Sequence, residues 1–199
     1  EGDFTFSGTA EAKGTDAGTY PMGLKAEQFS NNNENFKKVT FVVEDGSLTI
    51  RKRSVVLTSE TASKTYDGTA LTKPIVKVTG DGFVAGEVSD IKATGSVTHV
   101  SAGEVTNTIT YTEGTNFKES NYNITKTEGK LSITPLGGVV VTIKGQTKTV
   151  TYDGEEHSVF GYDATPSNKL YNPKEDMQFE GFDEDMTAKG TDAGTYPMG

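Results

Sequence analysis

The chain has 199 residues, 28 acidic against 19 basic side chains, and a formal net charge of −9 at pH 7. That charge argues against nucleic acid and anionic membrane as partners, and the absence of Cys excludes disulfides, zinc-thiolate sites and thiol catalysis. The 33% apolar content reaches the globular range once the 23 Gly are counted with it, and aliphatic runs reach only three residues, as at Val139-Val140-Val141, far short of the roughly 18 of a membrane span.

In chain order, the opening Glu1-Gly2-Asp3 carries no signal peptide, so the chain reads as a piece excised from something longer. Leu24-Lys25-Ala26-Glu27-Gln28-Phe29 has the composition for one or two helical turns, stopped by Asn31-Asn32-Asn33. Residues 39–43 lead into Asp45-Gly46 and then the alternating Ser47-Leu48-Thr49-Ile50, a pattern that predicts a hairpin because both turn residues tolerate positive φ. Strands are expected at 54–58, 74–79 and 106–111. A second hairpin, about Glu128-Gly129, is expected to join Tyr122-Asn123-Ile124-Thr125 to Lys130-Leu131-Ser132-Ile133. Two more strands are expected at 139–144 and 147–152. Leu48, Ile50, Leu131 and Ile133 would face a core, with Ser and Thr outside. The richness in Thr, Val and Tyr and the frequent turns predict a mainly β fold with little helix, a small sandwich or a β-grasp-like sheet.

The chain also repeats itself. Lys13 to Gly23 reads KGTDAGTYPMG, and Lys189 to Gly199 reads the same eleven residues. Thr65-Tyr66-Asp67-Gly68 recurs as Thr151-Tyr152-Asp153-Gly154, and Gly46-Ser47-Leu48-Thr49-Ile50 corresponds to Gly129-Lys130-Leu131-Ser132-Ile133. Ala102-Gly103 matches Ala17-Gly18. These markers predict tandem units of about 85 residues. Their order makes 54–135 a complete unit, 1–53 the back part of one and 136–199 the front part of another. Residues 136–199 followed by a segment equivalent to 24–53 would make a whole unit. The broken ends could complete one another, either within a chain or head to tail between chains, and if neither happens the flanks should be partly disordered.

Lys64-Thr65-Tyr66-Asp67-Gly68 near the start of a unit, Ala-Gly-Thr-Tyr in its middle, then Asn121-Tyr122-Asn123-Ile124 before Gly129-x-Leu131-x-Ile133 resemble the YDG and MBG repeat families. These occur in tandem in large bacterial surface proteins of adhesin-like type. The resemblance spans essentially the whole chain. It departs from the pattern at Ala102-Gly103-Glu104-Val105, where Thr-Tyr is expected, and at Phe36-Lys37-Lys38, where Asn-Tyr-x-Ile would sit. It implies an extracellular, cell-wall-associated stalk or binding module, and carries over no catalytic residues.

Site chemistry is sparse. Tyr66/Asp67 and Tyr152/Asp153 are candidates to line a ligand groove, although Asp-Gly with a Tyr packed beside it is ordinary turn chemistry. Glu180, Asp183, Glu184 and Asp185 are a candidate Ca²⁺ cluster without EF-hand spacing, and a solvated acidic loop is the preferred reading. His99 and His157 belong to no triad or metal spacing, and Thr15-Asp16-Ala17-Gly18 is not the Asp-Thr-Gly of aspartic proteases. Lys64 with Asn121 or Asn123 supplies the composition for a Lys–Asn isopeptide bond, though separate exposed positions are preferred. Asn123-Ile124-Thr125 matches a glycosylation sequon. The expectation is therefore no enzyme, cofactor or metal, and a stalk that presents a distal binding region. The alternative is that the repeats themselves bind host mucin, glycan or protein, with Tyr20, Tyr122, Tyr162 and Tyr171 as an aromatic platform.

Overall fold

Stretches of stiff, branched and aromatic side chains broken by Gly-rich turns fold into short strands along the whole length, and the protein is mainly β. The structure is a computed structural model and describes residues 2–178 and 187–197. The first segment holds β1 (Phe4–Phe6), β2 (Gly18–Pro21), β3 (Phe29–Asn31) and β4 (Ser47–Ile50). The middle one begins with β5 (Arg53–Ser59), β6 (Ala62–Thr65), β7 (Leu71–Thr72), β8 (Val76–Gly80) and β9 (Val88–Ala93). It continues with β10 (Ser96–Val97), β11 (Val105–Thr106), β12 (Ile109–Glu113), β13 (Tyr122–Thr127) and β14 (Lys130–Thr134). The last segment holds β15 (Val141–Gly145), β16 (His157–Phe160), β17 (Tyr162–Pro166) and β18 (Thr187–Gly190). Helix is confined to three 3₁₀ turns and one α-helical turn, Pro173–Asp176, among the described residues. The turn expected near residue 24 is the 3₁₀ turn Ala26–Gln28.

Neither expected hairpin forms. Residues 39–43 are in no strand, and β4 pairs instead with β2, Tyr20 opposite Leu48. The Asp45 carboxylate accepts from Gly23 N at 3.1 Å and Leu24 N at 2.9 Å, and Gly46 O accepts from Met22 N, so the Asp-Gly pair fastens a distant turn. In the middle segment β13 runs parallel to β5, from Tyr122 opposite Arg53 to Thr127 opposite Thr58. β14 lies between β11 and β6 in a different sheet. Residues 147–152 also form no strand, and the strand expected at 106–111 breaks at Asn107-Thr108.

That break has a physical cause. β5 gives way to β6, and β13 to β14, at one shared corner. There Gly129 passes so near the Glu60 carbonyl that a Cβ would lie 2.3 Å from its oxygen, which only Gly permits. Ser59 and Asn107, both buried, hold the corner. Ser59 Oγ donates to Asn107 O at 2.6 Å and accepts from Gly129 N at 2.9 Å. Asn107 Nδ2 donates to the Glu60 and Lys73 carbonyls at 3.1 and 2.9 Å, and Oδ1 accepts from Gly95 N at 3.1 Å. Every polar atom of the Asn107 side chain is thereby matched, the condition for burying it without penalty.

Two compact units result. The first comprises residues 1–62, 71–97 and 104–132. Its core is Val55, Leu57, Ile109 and Tyr122, with Phe83, Tyr111 and Phe117 packed against it; Phe83 and Phe117 ring centroids lie 5.3 and 5.4 Å from that of Tyr122. Leu131, in β14, is fully buried, whereas Leu48, expected in a core, is 38% exposed. The second unit comprises 63–70, 98–103 and 133–199. In it β15 pairs antiparallel with β17, and β16 with β18; Ile133 and Ala188 are its buried apolar residues among those described.

Candidate functional site

The sequence's strongest motif, Lys-Gly-Thr-Asp-Ala-Gly-Thr-Tyr, folds back on itself. The Tyr20 ring covers Gly14 so closely that a Cβ there would meet Tyr20 Cε2 at 2.2 Å. Its hydroxyl donates to Asp16 O at 2.8 Å. The same corner recurs at the other end of the chain, where Tyr196 covers Gly190 (2.1 Å) and its hydroxyl donates to Asp192 O at 2.9 Å. Between them, Val105 stands where the Tyr would be and His99 where the Gly would be. With no ring to lie over it, that position tolerates a large side chain, and the His99 ring lies 6.0 Å from that of Tyr66 instead.

This corner pushes Asp16 and Ala17 outward onto a second element of the first unit. Asp16 accepts from Lys118 Nζ at 2.8 and 3.1 Å and from Asn121 Nδ2 at 3.0 Å, while Ala17 N donates to Asn121 Oδ1 at 2.7 Å. Lys118 and Asn121 are brought to one side by the 3₁₀ turn Glu119–Asn121. The hydrogen bond from Asn121, then that from Lys118, holds the Asp16 carboxyl below its ordinary value, and Asp16 raises Lys118 in return. One acid, one amide and one amine thus join segment 1–53 to the segment that follows it. The sequence marked Asp16 only as a failed protease motif; its recurrence as Asp192 was the available signal.

The other candidates fall as follows. Asp67 accepts from Lys64 Nζ at 2.7 Å and from the backbone and hydroxyl of Thr69, an Asx turn whose lysine lowers the carboxyl to about 2. Lys64 is therefore engaged by Asp67 and Thr69, Asn121 by Asp16 and Ala17, and Asn123 sits exposed on β13. Asp153 accepts from Glu155 N and from His157, each at 3.0 Å, both lowering its pKa, the backbone bond more. Among the described residues no serine hydroxyl bonds to His157. Tyr122 is 4% exposed and buried with the core, its hydroxyl accepting from Val84 N and donating to Glu87; Tyr20, Tyr162 and Tyr171 are half-buried. Tyr122 is therefore no exposed aromatic surface. Glu180, Asp183, Glu184 and Asp185 lie outside the described residues.

No family model, curated protein or solved structure matches this chain. Among the described residues, no three His, Asp or Glu side chains gather as a metal site would require, and no helix is long and apolar enough to cross a membrane. What the geometry offers is a polar docking contact between sequence segments and an open cleft of about 700 Å³ in the second unit.

Proposed function

We propose that this chain is a non-catalytic run of tandem β repeats, bounded near residues 53 and 135, that serves as a stalk at a bacterial cell surface and holds a distal binding region away from it. The observation that carries this reading is the Asp16–Lys118–Asn121 contact: the most strongly repeated motif of the sequence goes into a self-packed corner and a docking contact between successive segments. A spacer needs such joints, because a loosely linked string of modules coils instead of projecting. Two further features support the repeat reading. Tyr20 opposite Leu48 in one segment has its counterpart in Val105 opposite Leu131 in the next, and β5, the first strand of the middle segment, pairs in parallel with β13, its last but one, a pairing that a β-grasp sheet also contains. The resemblance to YDG and MBG repeats is consistent with the same role.

The test is to screen the full chain on an array of mucin-type and other host glycans and on immobilised host matrix proteins. A stalk gives no saturable binding. Saturable binding that is lost on substituting exposed aromatic residues such as Tyr152 would transfer the function to the repeats themselves, as an adhesin module.

A further inference from the structure

The turn that receives Asp16 reads more than a charge. Lys118 stands just before the 3₁₀ turn Glu119–Asn121, and Asn121 N donates to Lys118 O at 2.9 Å, which fixes the spacing of the two side chains. Lys118 Nζ reaches both carboxylate oxygens of Asp16, at 2.8 and 3.1 Å. Asn121 clamps the peptide that follows: its Nδ2 donates to the same carboxylate at 3.0 Å while its Oδ1 accepts from Ala17 N at 2.7 Å. All four bonds fall on one carboxylate and the next N–H along the chain. A serine in place of that acid offers a single short, neutral hydroxyl, which cannot meet both donors.

The corner is shaped before it docks, because the Tyr20 hydroxyl holds Asp16 O and the Tyr20 ring lies on Gly14. A ligand ordered in advance loses less on binding. The acid also travels with the ring. Where Tyr196 covers Gly190 and holds Asp192 O, the docking pair is again Asp192-Ala193, and both residues are exposed. Where Val105 and His99 replace the ring and the glycine, Ser101 stands in the place of the acid. We propose that Lys118 and Asn121 form a recognition site for Thr-Asp-Ala-Gly corners, that Asp192-Ala193 of a second copy of this chain is a ligand for it, and that the Ser101-Ala102 corner is refused. Asp16 fills the site of its own chain through its higher effective concentration, so the second corner enters once Asp16 is removed. Lys118 and Asp16 stay half exposed, so the contact is weak between separate molecules and closes where a tether holds its halves together. The residue at this one position, Asp or Ser, then decides whether a corner is accepted. The inference rests on the repeat reading above and is independent of the stalk role.

Nuclear magnetic resonance on full-length proteins tests it. Isotope-labelled Asp16→Ala chain has an open site; unlabelled Asp16→Ala chain offers the Asp192 corner, and unlabelled Asp16→Ala/Asp192→Ser chain offers a corner with the residue of the middle segment. Titration with the first donor should shift the Lys118 and Asn121 amide signals with rising concentration, several-fold more than titration with the second. Placing Lys118→Met in the labelled chain should remove the difference, and labelled chain that keeps Asp16 should respond to neither donor. Equal shifts with both donors, or none at Lys118 and Asn121 with the first, would overturn the proposal. A ligand found on the glycan array leaves this result untouched, so the two readings fail separately.

Discussion

Asn107→Ala tests the buried corner most directly. The side chain is fully buried and makes three hydrogen bonds, two donated to the Glu60 and Lys73 carbonyls and one accepted from Gly95 N. Truncation leaves those three backbone groups without their partner, in a place where β5, β13 and the β9–β12 pair change direction. A buried polar group left unsatisfied costs about 1–3 kcal/mol. The Glu60 bond is only partly buried, and water reaching that side keeps the total near the low end, about 3 kcal/mol. For the 118 residues of the first unit that is a fall in Tm of roughly 12 °C. Urea unfolding followed by circular dichroism, with the slope unchanged, is the assay, and Thr108→Ala is the control: its exposed side chain predicts a change within about 0.5 kcal/mol. If Asn107→Ala unfolds within about 1 kcal/mol of the parent, the corner does not hold the sheets as argued.

Gly14→Ala puts a Cβ against the Tyr20 ring and is expected to destabilise by about 1–3 kcal/mol, as overpacking does. Gly14→Ala with Tyr20→Val, which approaches the His99/Val105 pairing of the middle segment, should cost less than the sum of the two single changes; additive costs would contradict the corner. Asp67 should titrate near pH 2 by NMR and move back toward 3.8 in Lys64→Met. Because its folded pKa is depressed, the Lys64–Asp67 contact contributes stability above about pH 4, and that contribution is lost as pH falls through about 2. An unchanged Asp67 titration in Lys64→Met would show that the Asx turn alone sets its acidity.

Strand composition made the β character legible, and the strands near 54–58 and 74–79 follow from it. What local pattern missed is pairing. Asp45-Gly46 and Glu128-Gly129 are good turn chemistry, yet Asp45 fastens residues 23–24 and Gly129 slips past Glu60, so long-range contacts overrode the local preference. Leu48 and Leu131 occupy matching positions in one pattern, but among the described residues only Leu131 is flanked on both edges, and burial follows neighbours that no single stretch encodes. Asn107 left no signal, since a buried Asn and an exposed one read alike in sequence. The docking of Asp16 was half legible: exact repetition flagged the loop, while Asn121, about a hundred residues away, was marked only by the repeat motif and as a partner for Lys64, and Lys118 carried no mark at all.

The parallel pairing of β5 with β13 bears on what happens when such a chain is pulled. A load applied at the start of β5 and, once β14 has left its sheet, at the end of β13 draws the two strands in opposite directions along their own axes. The six residue pairs from Arg53↔Tyr122 to Thr58↔Thr127 then bear the force together, in shear, and do not open one after another like a zipper. Rupture must break the whole ladder at once, which gives the middle segment a high mechanical threshold for its modest core.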